Sequence, residues 1–327
     1  MKVEITEFEK RLSFELEPVT QLCGQNIQKK TYIFESLKKY FSTYKYSEQN
    51  NKWRDNVIID DVLVGRKYFS VISIKSTSDL IQMIKLSKQS LMTEYLKSLM
   101  QEFDWQLYLR DIEIKVDEMI HKLSDSVEKL GGIELTYTTS DVWDIVQQSN
   151  ISGVDSTDLE DSDNIELIRI LWNLIEKIQE ISPRRMLILF ENIDHMIDRA
   201  EYRKIIKAAQ NIAVKSNIYF IFSSSLDGYV LCDSEICSGI SIFGDVDFQM
   251  PDFDHLCEFV RDTYPYQKEF LQERIGELIC GVVQRIGRSN YLWDVEENVL
   301  CKMINESIMI HDSINDIKDI EIAFLKS

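Results

Sequence analysis

The chain has 327 residues but only 11 glycines and 4 prolines, and its 4 histidines are scattered. Such sparse punctuation favours long uninterrupted elements, because glycine and proline are the usual breakers of helices and strands. No stretch approaches the roughly 18 consecutive apolar residues that read as a membrane-spanning helix. The start, Met1-Lys2-Val3-Glu4-Ile5-Thr6-Glu7, alternates like a strand and lacks the apolar region of a signal peptide. These absences predict a cytoplasmic protein with no membrane partner. The six cysteines, Cys23, Cys232, Cys237, Cys257, Cys280 and Cys301, form no CxxC pair and have no histidine at zinc-site spacing. They read as reduced core residues. With no GxSxG elbow and no identifiable cysteine–histidine arrangement, nothing points to nucleophilic catalysis.

Positive charge is also in short supply. Against 55 acids stand 37 Lys and Arg, a net charge of −18, which taken alone argues against a polyanion partner. The sum conceals a segregation. Between Lys29 and Lys67 there are nine bases and five acids, whereas Ser76 to Ser182 holds 21 acids and nine bases.

What is there begins with a 65-residue stretch, Arg66 to Leu130, free of both glycine and proline. A strand-like piece (Tyr68 to Ile74) leads into Ser76-Thr77-Ser78-Asp79, which offers helix-capping residues. Apolar residues then recur at helical spacing through Met92, Leu96, Leu99 and Phe103, and again from Ile112 to Leu130, before Gly131-Gly132 stops the pattern. A continuous helix of about 50 residues would be about 75 Å long at about 1.5 Å per residue, so the segment is expected to project as an arm, either straight or broken. A second stripe (Ile168, Leu171, Trp172, Ile175, Ile178) is its natural partner. Between the two lie a strand-like piece (Ile133 to Tyr137), a short helix (Asp141 to Gln147) and a loop.

The flanking segments differ. Leu187 to Phe190 and Ile218 to Phe222 are short apolar runs of the buried-strand type, separated by an amphipathic helix from Ala200 to Val214. That βαβ signature implies a parallel sheet. A strand ending at Cys23, a turn and a helix from Lys30 to Tyr40 form a similar unit. The expected fold is α/β: a degenerate P-loop NTPase-like head with a parallel-sheet core, an inserted long helical arm and a C-terminal, mainly helical extension. The boundaries fall at residues 1–75 and 183–252 for the head, 76–182 for the arm and 253–327 for the extension packed on the head.

Three patterns carry possible chemistry. Gly24-Gln25-Asn26-Ile27-Gln28-Lys29-Lys30-Thr31 matches the phosphate loop G-x-x-x-x-G-K-[ST] except that Lys29 stands at the second glycine. That glycine lets backbone approach phosphate closely, so its loss matters. The strand Leu187 to Phe190 ends in Glu191-Asn192, where an active enzyme of this class carries an Mg²⁺-holding aspartate. Gly24, Lys30 and Thr31 are thus read as a degenerate loop that binds no nucleotide, with a working NTPase and coincidence as the competing readings. Second, Lys29, Lys30, Lys38, Lys39, Arg54, Arg66 and Lys67, joined by Arg184 and Arg185, form either a phosphate-tracking surface or a solvated face. Third, the loop with Asp155, Asp158, Glu160, Asp161, Asp163 and Glu166 has six acids and no base. Together with Glu134 and Asp141 it is either a divalent-cation site or a solvated acidic loop; its spacing is not that of an EF-hand.

With these residues in place, the chain resembles the spacer-acquisition protein of type II-A CRISPR systems, in its longer subfamily. The resemblance rests on the order of parts: the degenerate loop Gly24 to Thr31, the strand Val62 to Ile74, the inserted arm with Ile133 to Asp155 near its tip, and the return through Arg184 to Asn192. It covers roughly residues 1–226, with the C-terminal part matching the long subfamily's extension. It implies a non-catalytic, ring-shaped homotetramer with a basic hole that binds double-stranded DNA ends without sequence preference. It further implies structural Ca²⁺ near the arm, held by acids such as Glu134, Asp141, Asp155, Asp158 and Glu160, and work alongside the CRISPR integrase complex and effector nuclease. Two other functions compete with that reading: an active P-loop ATPase or GTPase, and a coiled-coil scaffold that recruits another protein.

Overall fold

The computed structural model describes residues 1–7, 10–42, 56–128, 142–265, 271–287, 295–310 and 323–324. The chain divides into two compact units, residues 1–77 with 184–327, and residues 78–183.

The first unit is organised around five parallel strands: β3 (Val19–Cys23), β6 (Ser70–Ile74), β7 (Met186–Phe190), β8 (Ile218–Ser223) and β9 (Ile240–Phe243). With β10 (Asp247–Gln249) antiparallel at one edge, their order is β10-β9-β3-β8-β7-β6. β7 explains why a central strand reads as a continuous apolar run. It pairs with β6 on one side and β8 on the other, and all five of its side chains are buried, so neither face tolerates a polar residue. The helix α7 (Arg199–Lys215) joins β7 to β8 and turns Tyr202, Ile206 and Ala209 inward, at helical spacing.

The N-terminal strand does not join this sheet. β1 (Lys2–Glu7), β2 (Lys10–Glu15), β4 (Val57–Ile59) and β5 (Val62–Leu63) form a separate antiparallel sheet in the order β2-β1-β4-β5. The expected strand Val62 to Ile74 is therefore two strands in two sheets. Asp60 and Asp61, with φ of 48° and 62°, make the tight turn between β4 and β5; two left-handed residues are what a two-residue hairpin requires. The inward residues Val3, Ile5, Leu12 and Phe14 share a core with Ile33, Phe34 and Leu37 of α1 (Ile27–Tyr40) and with Leu187 and Leu189 of β7. The C-terminal helices α8 (Phe253–Thr263), α9 (Gln272–Val282) and α10 (Val295–Ser307) share a second core with Cys23, Ile240 and Ile242.

In the second unit the glycine-free stretch is broken into α2 (Thr77–Ile84, beginning in the first unit), α3 (Leu91–Met100) and α4 (Phe103–Glu128). No proline or glycine makes the break after α3. The Gln101 and Glu102 amides donate three residues back, to Ser98 and Leu99, and the Gln106 side chain caps the Met100 carbonyl at 2.5 Å. Local hydrogen bonds thus end one helix and start the next. α6 (Asn164–Ile181) packs against α3, burying Leu167, Leu171 and Ile175. α4 buries none of its side chains within the described residues. A short α5 (Val142–Gln147) precedes the acidic loop, while the strand expected at Ile133 to Tyr137 and the Gly131-Gly132 stop lie outside the described residues. No described helix is long and apolar enough to cross a membrane.

Burial separates two substitutions of similar size. Ile188→Ala in β7, where Ile188 is 0% exposed, is expected to cost about 2–5 kcal/mol. Val62→Ala in β5, where Val62 is 61% exposed, is expected to cost under about 0.5 kcal/mol. Denaturant midpoints of the two variants check the pair.

Candidate functional site

Parallel strands bring their carboxyl ends to one edge of the sheet, where α/β proteins place ligands. Here that edge gathers Gly24 after β3, Glu191 and Asn192 after β7, and Ser224 and Ser225 after β8. Gly24 has φ +86°, and a Cβ there would meet the Phe243 carbonyl oxygen at 2.4 Å. Only glycine fits. The loop is shorter than expected: α1 starts at Ile27 rather than Lys30, because the Asn26 side chain caps it by accepting from the Lys29 amide at 3.1 Å.

Lys30 consequently sits in the first turn of α1 and points inward, 2% exposed. Its Nζ donates to the Gly24 carbonyl at 2.6 Å, the Ser224 carbonyl at 2.6 Å and the Ser225 hydroxyl at 2.8 Å. An ammonium has three protons. All three are taken by the protein. Burial pulls the Lys30 pKa from 10.5 down to about 8, against opposing pulls from Cys23 and Asp194. Burial also pushes the adjacent Cys23 thiol up to about 12.

The loop amides are committed too. Gly24 N–H donates to Gln284 Oε1 at 2.7 Å, Asn26 N–H to the Phe243 carbonyl at 3.0 Å and Lys30 N–H to the Asn26 carbonyl at 3.3 Å. Gln284, 1% exposed just beyond α9, returns its own N–H to Ser224 Oγ at 3.1 Å. In a phosphate loop such amides face the ligand. Here a glutamine from the C-terminal helices takes the place of an acceptor oxygen. Thr31 is partly buried one step further along α1.

The acid after β7 is also answered from within. Glu191, 6% exposed, pairs with Lys75 Nζ at 2.6 Å; Lys75 reaches Glu35 at 2.7 Å, and Glu35 reaches Lys39 at 3.0 Å. Burial works against the Lys75 charge, but its hydrogen bonds to Glu191 and Glu35 outweigh it and raise its pKa. An ammonium rather than a divalent ion thus faces the strand-end carboxylate. Three residues later, Asp194, 4% exposed, accepts from the Ser225 and Leu226 amides at 2.6 and 2.9 Å.

The structure disperses the basic residues singled out in the sequence. Lys30 is withdrawn into the interior, a correction to its place in a basic surface. Lys29 pairs with Asp247 at 2.7 Å, and Lys39 with Glu35. The Arg185 guanidinium stacks over Tyr68 at 4.3 Å, and its neighbour Arg184 is likewise half-buried. Lys38, Arg66 and Lys67 are exposed. Arg54 lies outside the described residues. Lys75, Asp194 and Gln284 were not anticipated from sequence; only Lys75, directly after a strand, carries any local signal.

The acidic loop does not converge on a cation. Asp155 accepts from Thr157 Oγ1 at 2.8 Å, Glu160 pairs with Lys85, and Asp163 caps α6 by accepting from the Ile165 amide at 3.4 Å. Asp158, Asp161 and Glu166 are exposed. Among the described residues no group of three ligating side chains comes together, and Glu134 and Asp141 lie outside them. By itself this donor set does not fit a Ca²⁺ shell.

Lys30 has a titration signature. Its folded-state pKa lies below its unfolded one, so above about pH 8 the unfolded chain holds more protons and stability rises with pH. Cys23, raised in the folded state, acts in the opposite direction above about pH 9. Urea unfolding is expected to show Lys30→Met losing a rise between pH 8 and 9 that the unsubstituted chain retains. An identical slope in both would contradict the burial of the ammonium.

Comparison with known proteins places this arrangement. Among solved structures the chain is similar to the crystal structure of Stu0660 of Streptococcus thermophilus, at 20% identity and a TM-score of 0.83, covering 99% of each chain. At that identity the likeness is one of fold. No curated protein matches. The family described as CRISPR-associated protein Csn2, subfamily St, matches residues 5–286. That span runs from within β1 past residue 226 to the turn holding Gln284, and so includes both the loop and the glutamine that caps it, but not α10. The chain belongs to the CRISPR-associated Csn2 family, in its St subfamily.

Proposed function

We propose that this protein binds the ends of double-stranded DNA without sequence preference, as a ring-shaped homotetramer, and serves as a non-catalytic accessory factor in CRISPR spacer acquisition. The observation that carries the reading is the family match over residues 5–286, which supports an accessory role in CRISPR adaptation. The strand-end site supports the non-catalytic part. It has the position and residue order of a phosphate loop, which we read as degenerate. Its lysine, its first-glycine amide and its strand-end acid are all engaged by other parts of the chain. In an active P-loop enzyme the lysine reaches β- and γ-phosphates and the acid reaches Mg²⁺.

In this reading the integrase complex and effector nuclease are the protein partners. The exposed Lys38, Arg66 and Lys67 supply part of the phosphate contact. Each such contact releases counterions, giving affinity that is independent of sequence and falls with salt. A closed ring holds DNA by topology while individual contacts break and reform. Structural Ca²⁺ belongs to the proposal through the family resemblance, with Glu134, Asp141, Asp155, Asp158 and Glu160 as the candidate acids. Bound cations would also offset some of the −18 charge.

Linear and covalently closed circular duplexes of one sequence, compared by gel shift at moderate salt with Ca²⁺ and again with EDTA, test the reading. Binding to the linear form alone, weakened by EDTA, is expected. Equal binding to both forms rejects threading, binding to neither rejects the DNA assignment, and indifference to EDTA removes the calcium.

A further inference from the structure

The basic residues of α1 are mostly committed, which raises the question of where uncommitted positive charge lies in this acidic chain. The answer is α7. It carries Arg199, Arg203, Lys204, Lys207 and Lys215 against a single acid, Glu201. Its inner face is buried through Tyr202, Ile205, Ile206, Ala209, Ile212 and Ala213. Lys204, Lys207, Asn211 and Lys215 follow at steps of three and four residues, so they share one face. That face is the outer one, because all four are exposed.

The stripe is short of internal partners. Lys204 pairs with Glu201 at 2.5 Å, one turn away with both residues on the same helix, the kind of surface pair that contributes little. Lys207 and Lys215 make no ion pair with any described residue. This is the reverse of α1, where Lys29 pairs with Asp247, Lys30 is buried and Lys39 pairs with Glu35. From Lys204 to Lys215 the stripe runs about 16 Å along the helix axis. A duplex presents one charge per about 1.7 Å of its axis, so a stripe of that length spans several phosphates.

We infer that the outer face of α7, through Lys204, Lys207 and Lys215, is a contact surface for the phosphate backbone of duplex DNA. The inference rests on the proposed DNA binding and names residues outside those singled out in the sequence. Charge complementarity chooses the occupant: a row of exposed lysines on an otherwise acidic chain, two of them without an ion pair to any described residue, fits a polyanion. Lysines at helical spacing present point charges without a reading geometry, which suits contact that ignores base sequence. Asn211 adds a neutral donor between them.

The test is a salt titration of affinity for a linear duplex, comparing the unsubstituted protein with Lys207→Gln/Lys215→Gln and with Lys38→Gln, which removes a single contact of the proposed surface. Both lysines are exposed and unpaired, so the thermal midpoint should not move. The double variant is expected to bind at least about tenfold more weakly at low salt, with a salt slope smaller by about two. Lys38→Gln should change the slope by at most about one. An unchanged slope in the double variant, with the unsubstituted protein still binding DNA, overturns the α7 surface while leaving DNA binding intact. Absence of DNA binding in the unsubstituted protein removes both. Loss of self-association in the double variant, with unaltered DNA affinity, would assign the face to an acidic surface of a second copy instead, and would overturn the inference.

Discussion

A buried ammonium tolerates no unaccepted proton, and the site follows from meeting that demand at Lys30. Its three acceptors come from the loop after β3 and the loop after β8, so Lys30 ties two neighbouring strand ends together. The same loop needs an acceptor for the Gly24 amide, and Gln284 provides it from 260 residues away in sequence. That bond joins the C-terminal helices to the first strand of the parallel sheet. The absence of a side chain on Gly24 allows Phe243 to lie against the loop. Replacing the Lys30 or Gln284 side chain leaves buried polar groups unsatisfied, at about 1–3 kcal/mol each.

The second constraint is where charge is allowed to remain available. Lys30, Lys29, Lys39 and Lys75 are all held by acceptors or acids within the first unit, which stabilises the strand ends but removes those cations from any ligand. At Lys207 and Lys215 of α7 and at Lys38 and Lys67 the charges face solvent. A net charge of −18 is compatible with a polyanion ligand when the acids and the available bases lie on different surfaces, since salt screens exposed charges beyond about 10 Å.

Much of the parallel sheet was legible in the sequence because β7 and β8 are largely buried and so appear as apolar runs of five residues each. α7 was legible for the complementary reason, a buried stripe at helical spacing. The small antiparallel sheet was not. β1 pairs with β4 across more than 50 residues, and nothing local distinguishes that pairing from joining the larger sheet. The sequence left the arm straight or broken, and the break after Met100 has no marker in it because side-chain and turn hydrogen bonds make it, not glycine or proline. At the site, Gly24, Lys30 and Glu191 were found by motif spacing. The inward turn of Lys30 was not, because it depends on Ser224, Ser225 and the early capping of α1 by Asn26.

Calorimetric titration of the protein with Mg-ATP tests the central claim most directly. If Lys30, the Gly24 amide and Glu191 are held by the chain's own groups, no binding heat should appear up to millimolar nucleotide. Saturable binding at micromolar concentration would mean that Lys30 leaves its three acceptors readily, and it would contradict the account.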